Sequence, residues 1–578
     1  MAAPVGIPVA PSAYALFLLA AATLIATPGP DTLFVLSRSV ESRAGGLRAA
    51  AGVTVGILFH TALVVVAVAP RYLRSDRVDH RLDRLPGAIL IVLGVAARRV
   101  ISVSTSTATG RSLTSAVGRK RPEPQAWCRQ QQDYVVCYRT IICMSQHGVT
   151  EELYVDEYTL GLVGPDQEWA GTVADGGRVT TYTPPGCWGP MITPSFRGGH
   201  EVTRPIRVEG AEVGDAIAIH IRDVEVTSMA TSTGSMAERE GTFTDDPFVD
   251  HRCPECGTTW PDSVIEGTGE DAIRCAECGA NASSFGFEYG YTVAFDHENA
   301  VGITLDEDGA HALATDADRV MDIPENSRQH PILLYEPDGM PGTLGRLRPF
   351  IGNIGTTPSV TMPDSHNAGD FGQNLIGAEH DYGVETEADL EKRTDGHMDV
   401  PEVRAGATLI CPVDIDGGGV YVGDLHANQG DGELSLHTTD VSGTVTMDVE
   451  VLKGLDIDGP VLLPNAEDLP FISAPYSDDE VTAGDALGEE HGVDVDTDAA
   501  PIQVIGSGAT VNDATQNAFD RAGTLLDMSE GEIRARCTFT GGVQIGRLPG
   551  VVQLDMLVPM DILADAGLDD VAREQYDM

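Results

Sequence analysis

Lysine is almost missing from this chain: Lys120, Lys392 and Lys453 are the only three in 578 residues. Positive charge as a whole is scarce, with 37 Lys+Arg against 87 Asp+Glu and a formal net charge of -50. The scarcity is uneven, since residues 1–143 hold 16 Lys+Arg against 7 acids and residues 144–578 hold 21 against 80. A polyanion would be repelled by the second part, which excludes nucleic acid as its partner. So acidic a surface stays hydrated and self-repelling when salt screens charge, as suits a protein working in high salt. Basic residues are also absent ahead of the first apolar run, so residues 13–27 do not read as a secretory signal. The 42% apolar content over this length supplies material for two or more domains and at least one sizeable core.

The amino-terminal part is of a different kind. Apolar runs occupy 13–27, 49–69 and 85–100, the second long enough to cross a hydrocarbon core. The stretch "ATPGPDTLFVLSRSVESRAGGLRAAAGVTVGILFHT", with its Pro28-Gly29-Pro30 turn, resembles the start of the lysine-exporter family of amino-acid efflux proteins. The resemblance covers about 90 residues, less than half of such a transporter, so residues 1–100 read as a truncated transporter-like segment. Any membrane contact is expected only through 13–100. Residues 101–143 are a low-complexity basic linker with neither helical nor strand periodicity. Composition turns acidic from Met144, the expected start of a complete soluble enzyme.

From 144 onward, short alternating runs at 216–228, 407–424 and 443–452, separated by Gly, Pro and Asp, read as strands. A helix is expected near 512–527, and Ser529 to Glu532 carries a capping box for another. Frequent strands with late helices predict a mainly β, α+β fold of sandwich type. Residues 476–500, with nine acids and no Lys or Arg, read as a solvated acidic loop.

Four cysteines form the most specific local motif. Cys253-x2-Cys256 and Cys275-x2-Cys278, 18 residues apart, have the spacing of a zinc ribbon inserted at about 250–280. Two knuckles that each present two thiolates close a tetrahedron around Zn²⁺ and leave no position for water, so the site is structural. Cys411 and Cys537 lie in apolar surroundings and read as buried, inert thiols.

A set of motifs in order, "HEVTRPIRVEGAEVGDAIAIHI" (200–221), "RPFIGNIGTTPS" (348–359), "DGHMDVPEVRAGATLICPV" (395–413), "VGDLHANQGDGE" (422–433) and "RARCTFTGGVQIGRL" (534–548), resembles the acetamidase/formamidase family. The resemblance runs over about 144–578. It implies hydrolysis of short linear amides to a carboxylate and ammonia, a β-sandwich-like fold and a homo-oligomer, with a small amide and water as partners. A cytoplasmic location is expected. Two other classes fit parts of the chain: an amino-acid export membrane protein remnant, and a non-catalytic binding protein on the same fold.

Amide hydrolysis needs a nucleophile, a stabilised oxyanion and a proton for the leaving amine. There is no glycine- and serine-rich signature with a lysine, and three lysines leave little scope for a Cys-Glu-Lys triad, so water is the expected nucleophile. Asp424, His426 and Glu433 are the candidates for a base or for ligands of a second, divalent metal. Asp424 and His426, two apart on a strand, are expected on one face. His200, Glu209 and Asp215 match family positions, Asp215 equally suiting a turn anchor, and Asn353 in "GNIG" is a candidate oxyanion donor. His397 and Asp399 stand in "GHMD" where the family usually has "GNMD", and are assigned to substrate binding, as are Gly423, Gly430 and Gly432, whose lack of a side chain lets the backbone turn closely around a small amide.

Overall fold

The computed structural model describes residues 149–578 except 187–192, 198–199, 239–250, 270, 284, 331–340, 368–370, 430–438 and 546–547. The transporter-like segment, the basic linker and the expected start at Met144 therefore lie outside the described residues, as do Gly430, Gly432 and Glu433. No helix among the described residues is long and apolar enough to cross a membrane.

Ten described strands form the main sheet. Its order is Val149–Val155, Gly171–Thr183, Gly443–Leu452, Ala216–Val226, Thr408–Pro412, Val461–Leu463, Ala499–Ser507, Leu548–Pro559 and Thr538–Ile545, with Ile206–Val208 beside Gly171–Thr183. Most pairs are antiparallel, while Val149–Val155 runs parallel to its neighbour. Strand Gly443–Leu452 alternates buried and half-buried residues along its whole length, the period-2 pattern that aims Val445, Met447 and Val449 at one core. Ala499–Ser507 is buried at every position because both of its faces are covered.

Two layers flank this sheet. On one side a two-stranded unit, Phe350–Gly355 paired with Tyr421–His426, shares a core with Ile217, Ile219, Met447 and Val449. On the other, helices Val511–Leu526, Glu530–Arg536, Met560–Asp565 and Asp569–Tyr576 pack on Ile502, Val504, Leu554 and Met556. The helix expected near 512–527 forms at Val511–Leu526, its Thr510 accepting from Asp513 N, and Ser529 and Glu532 make the reciprocal box that opens the next. The mainly β, α+β architecture is as expected.

The acidic stretch 476–500 is not a loop. Asp478–His491 is a helix, started by the Ser477/Glu480 capping box and stopped by Gly492 at φ +70°. Its first-turn acids suit the positive end of the helix dipole, and caps outweigh the mutual repulsion that composition suggests. A smaller sheet, Leu344–Arg346, Val301–Thr304, Phe285–Asp296 and Ala230–Glu238, carries helices Glu307–Ala314 and Ala317–Met321. Between its strands lies a hairpin, Ser263–Ile265 with Ile273–Cys275, packed on Cys253, Ala272 and Ala282. Cys411 is fully buried, whereas Cys537 is only partly so.

Candidate active site

Asp424 stands at the centre of a buried polar cluster. Its strand pairs with Phe350–Gly355 through Ile351/Leu425 and Asn353/Gly423, and between these pairs Asp424 adopts φ +55°. The simple rule that places residues two apart on one face of a strand therefore does not account for its aim; a left-handed residue re-directs the side chain. Asp399, at φ +49°, is held likewise, with its N–H donating to Gly352 O at 3.0 Å. Two non-glycine residues in this sparsely populated region mark a site whose surroundings enforce the conformation.

Three imidazoles meet these two carboxylates. Asp424 Oδ2 lies 3.2 Å from His426 Nε2, 3.5 Å from His200 Nε2 and 3.8 Å from His397 Nε2. Asp399 reaches His397 Nε2 and His426 Nε2, both at 3.3 Å. Each ring is anchored by its other nitrogen: His200 Nδ1 to Asp364 Oδ2 at 2.7 Å, His397 Nδ1 to Ser365 O at 3.2 Å, and His426 Nδ1 to Asp440 Oδ1 at 3.0 Å. Such partners fix tautomer and orientation, so all three Nε2 atoms face one space. Phe350 stacks on His426 with centroids 4.8 Å apart, and His200 and His397 rings lie equally close.

Burial disfavours charge on these groups, yet their mutual attraction prevails. Against burial, Asp424 and Asp364 raise His200, Asp399 raises His397 to about 10, and Asp424 lifts His426 well above the ordinary imidazole value. Burial likewise opposes ionisation of Asp399 and Asp424, but His397 holds the first and His200 the second below the usual carboxylate range. In Asp364 burial wins over the attraction of His200, and its pKa rises.

The space at the centre depends on two glycines. A Cβ on Gly352 would overlap Asp399 Oδ1 and come within 2.5 Å of His426 Nε2 and 2.8 Å of Asp424 Oδ2. One on Gly186 would overlap Asp424 Oδ1. That same Oδ1 is buried without a hydrogen-bond partner. His200, His397 and Asp424 form one set of converging ligand atoms, and Asp399, Asp424 and His426 a second, each within 4.8 Å. The two sets share Asp424.

Of the residues expected from sequence, His200, His397, Asp399, Asp424 and His426 come together, and His397 and Asp399 stand among the converging groups themselves. Asn353 lies directly behind them, but its Nδ2 donates to Asp364 Oδ2 at 2.7 Å, so its amide holds the anchor of His200. Two family-position acids are elsewhere. Glu209 is exposed on the turn after Ile206–Val208. Asp215 is a turn anchor, accepting from Glu212 N and Gly454 N at 2.9 and 2.8 Å and pairing with Lys453 at 2.8 Å. Gly423 clears Val202, whose side chain a Cβ would meet at 2.5 Å, so its freedom serves packing rather than substrate. Asp364, Asp440, Gly186 and Gly352 were not expected from sequence. The buried polar run Asp364-Ser365-His366-Asn367 in "MPDSHN" is the one local signal for the first.

Among the four cysteines, the Cys253 and Cys278 sulfurs lie 3.6 Å apart and those of Cys256 and Cys275 3.8 Å, with all four within 4.8 Å of one another. Cys253 and Cys275 are buried, the other two exposed.

A mainly β protein built round a buried, acid-rich histidine cluster is thus defined by fold and site. Its sequence matches the acetamidase/formamidase family model over residues 188–391 and 390–565, and the chain belongs to that family. It is 26% identical to an acetamidase of Mycolicibacterium smegmatis over 260 residues, 44% of this chain and 54% of that protein. To a formamidase of Methylophilus methylotrophus it is 26% identical over 316 residues, 51% of this chain and 63% of the relative. The match thus spans little more than half the length of these relatives. A crystal structure of an acetamidase from Bacillus halodurans aligns with 72% of this chain and 99% of its own, at 16% identity and a TM-score of 0.40.

Proposed function

We propose that this protein is an amidohydrolase that cleaves the C–N bond of short linear amides such as formamide and acetamide to a carboxylate and ammonia. The observation that carries the reading is the convergence of three Nε2 atoms and two carboxylates on one buried space, in a member of this family. The donor set suits divalent ions. Asp424 Oδ1 is buried and unpartnered, each ring is turned to offer Nε2, and the carboxylates of Asp364, Asp399, Asp424 and Asp440 outnumber the imidazoles. His200, His397 and Asp424 would hold one ion, and Asp399, Asp424 and His426 another. When bound, such an ion supplies Lewis acidity that activates water near neutral pH. The protein's own residues do the rest: Asp364, Asp440 and the Ser365 carbonyl fix the rings, and Gly352 and Gly186 keep room for the reacting groups. Glu433, seven residues beyond His426, takes the proton from the attacking water and returns it to the leaving amine.

The four-cysteine cluster is, in this reading, a closed structural zinc site. Zinc–thiolate bonds of about 2.3 Å imply sulfur–sulfur edges of roughly 3.8 Å, close to the separations above and far longer than the roughly 2.05 Å of a disulfide. Thiols kept reduced for a metal, with the acid-rich surface, support a cytoplasmic location. Phe471 and Ile472, 91% and 66% exposed on that charged surface, support self-association into a homo-oligomer. Residues 1–143 are read as a joined transporter remnant not needed for the chemistry.

The test is ammonia release from formamide and acetamide by the full-length protein, paired with elemental analysis. Turnover with more divalent metal per chain than the single zinc of the ribbon is expected. Absence of release from both amides overturns the reading.

A further inference from the structure

The cysteine cluster is tied to the segment that bears His200. Its first knuckle is closed by Gly257 N donating to Cys253 O at 2.9 Å and Cys253 N to Thr258 O at 3.0 Å. Two residues on, Trp260 N donates to His251 O at 2.9 Å, and Trp260 takes φ +51°, a conformation unfavourable for a bulky residue unless its surroundings fix it. That turn brings the indole to 5.9 Å from Arg197 Cζ. The guanidinium also lies 5.4 Å from the Tyr382 ring centroid and pairs with Asp381 at 2.5 Å, while Tyr382 OH donates back to Arg197 O at 2.9 Å. A guanidinium between two aromatic faces is held by its planarity as well as its charge.

Arg197 is three residues before His200, and neighbouring points of the same segment are held by residues 327–330. Thr193 Oγ1 donates to Arg328 O at 2.8 Å and accepts from His330 N at 3.1 Å. Gln329 Nε2 donates to Pro185 O at 3.2 Å, beside the Gly186 that abuts Asp424. Glu201, buried next to His200, accepts from Arg328 N at 2.9 Å and from Ser327 Oγ at 2.5 Å. Trp260 is the ribbon's part of this clamp.

We infer that Trp260 and Arg197 are positioning residues for the reaction centre: the closed cysteine knuckle fixes Trp260, Trp260 holds Arg197, and Arg197 sets the backbone that carries His200. The inference rests on the amidase reading for its kinetic consequence and on geometry alone for the clasp. It also changes what the ribbon does. A closed site that touches no reacting group would leave turnover per folded molecule unchanged when Cys256 is replaced; through this clasp the change reaches His200.

The experiment uses the full-length protein with Trp260→Ala, Trp260→Phe, Arg197→Lys, Cys256→Ser and the double change Cys256→Ser/Trp260→Ala. Amide hydrogen exchange is read by mass spectrometry over peptides covering 193–204, together with kcat and KM for ammonia release. Trp260→Ala is expected to speed exchange there and to lower kcat roughly tenfold with little change in KM, since a small misplacement of a reacting group is costly. Trp260→Phe should restore most of both losses, and Arg197→Lys, which keeps the charge but not the planar stack, should lose part of each. The double variant should be no worse than its worse single, because both changes break one chain of contacts. A folded Trp260→Ala protein with parental exchange and kcat overturns the inference, as do losses that add in the double variant. If Trp260→Ala does not fold, parental exchange and kcat in both Trp260→Phe and Arg197→Lys overturn it equally. If the parent releases no ammonia, the amidase reading fails by itself, and the exchange measurement still decides the clasp.

Discussion

The four-cysteine cluster draws its side chains from 26 consecutive residues, whereas the histidine–aspartate cluster gathers His200, Asp364, His397, Asp399, Asp424, His426 and Asp440 from across 241. The first is half exposed and made of four like groups, and two tight turns beside one short hairpin suffice to build it. The second is fully buried, mixes nitrogen and oxygen donors, and leaves an acid oxygen unpartnered. A site assembled from so short a stretch of chain serves a local fold. A site whose parts must be gathered from distant segments costs burial of several ionisable groups, a cost that chemistry explains better than stability does.

The sharpest way to break this comparison is Asp424→Asn. Asp424 belongs to both converging sets, so its replacement is expected to lower ammonia release by about 10³ or more and to reduce metal bound at the buried cluster, while metal bound at the cysteine cluster is unchanged. Equal loss of metal from both clusters would show that they are not independent. Glu433→Gln keeps size and hydrogen bonding but removes the charge proposed to accept the proton, so turnover should fall roughly 10²-fold with folding intact. Full activity in that variant would leave Glu433 without a part in the chemistry. A milder change is Asp364→Asn, which leaves an acceptor for His200 Nδ1 but weakens it. A loss of about ten- to a hundredfold in metal affinity, read by titration, is the expected result, and parental affinity would remove Asp364 from the site.

What the sequence made legible follows the same division. Cysteine spacing is a local signal and could be read directly. So could the caps at Thr510 and Ser529, yet the equally clear Ser477/Glu480 box was masked by a run of acids that suggested a loop. For the buried cluster, resemblance picked out His200, His397, Asp399, Asp424 and His426, but no periodicity carries their anchoring partners. Asp364 opens a one-turn 3-10 helix and Asp440 forms an isolated bridge, and their pairing with His200 and His426 is a property of tertiary packing. Nor does a sequence announce that Asp399 and Asp424 adopt positive φ, or that Gly352 must lack a side chain because three functional groups occupy its place. Asp215 and Glu209 stand near a family motif, but the lysine–carboxylate turn and the exposed turn that hold them are as good a reason for their presence.

The smallest effect concerns a buried acid in neither cluster. Among the described residues no imidazole or cation bonds Asp555; Gln503 Nε2 donates to it at 2.7 Å and Thr540 Oγ1 also bonds it, but burial outweighs both and pushes its pKa up to about 6. Asp399 and Asp424, equally buried, are shifted the other way by their histidines, so Asp555 shows what burial does when no opposite charge compensates. The folded protein therefore binds this proton more tightly than the unfolded chain, whose carboxyl titrates near 4. Stability from this group is intact below about pH 4 and is lost as pH rises towards 6, because the folded state must then bury a charge. A shift of this size corresponds to roughly 3 kcal/mol at most. Asp555→Asn removes that charge and places an amide donor near Gln503 Oε1, which is buried without a partner. Denaturant unfolding should find the variant more stable than its parent by about 1–3 kcal/mol at pH 8 and no more stable at pH 4. A gain of the same size at both pH values would trace it to hydrogen bonding rather than charge, and no gain at pH 8 would mean that the carboxylate is already compensated, as it is at Asp399 and Asp424.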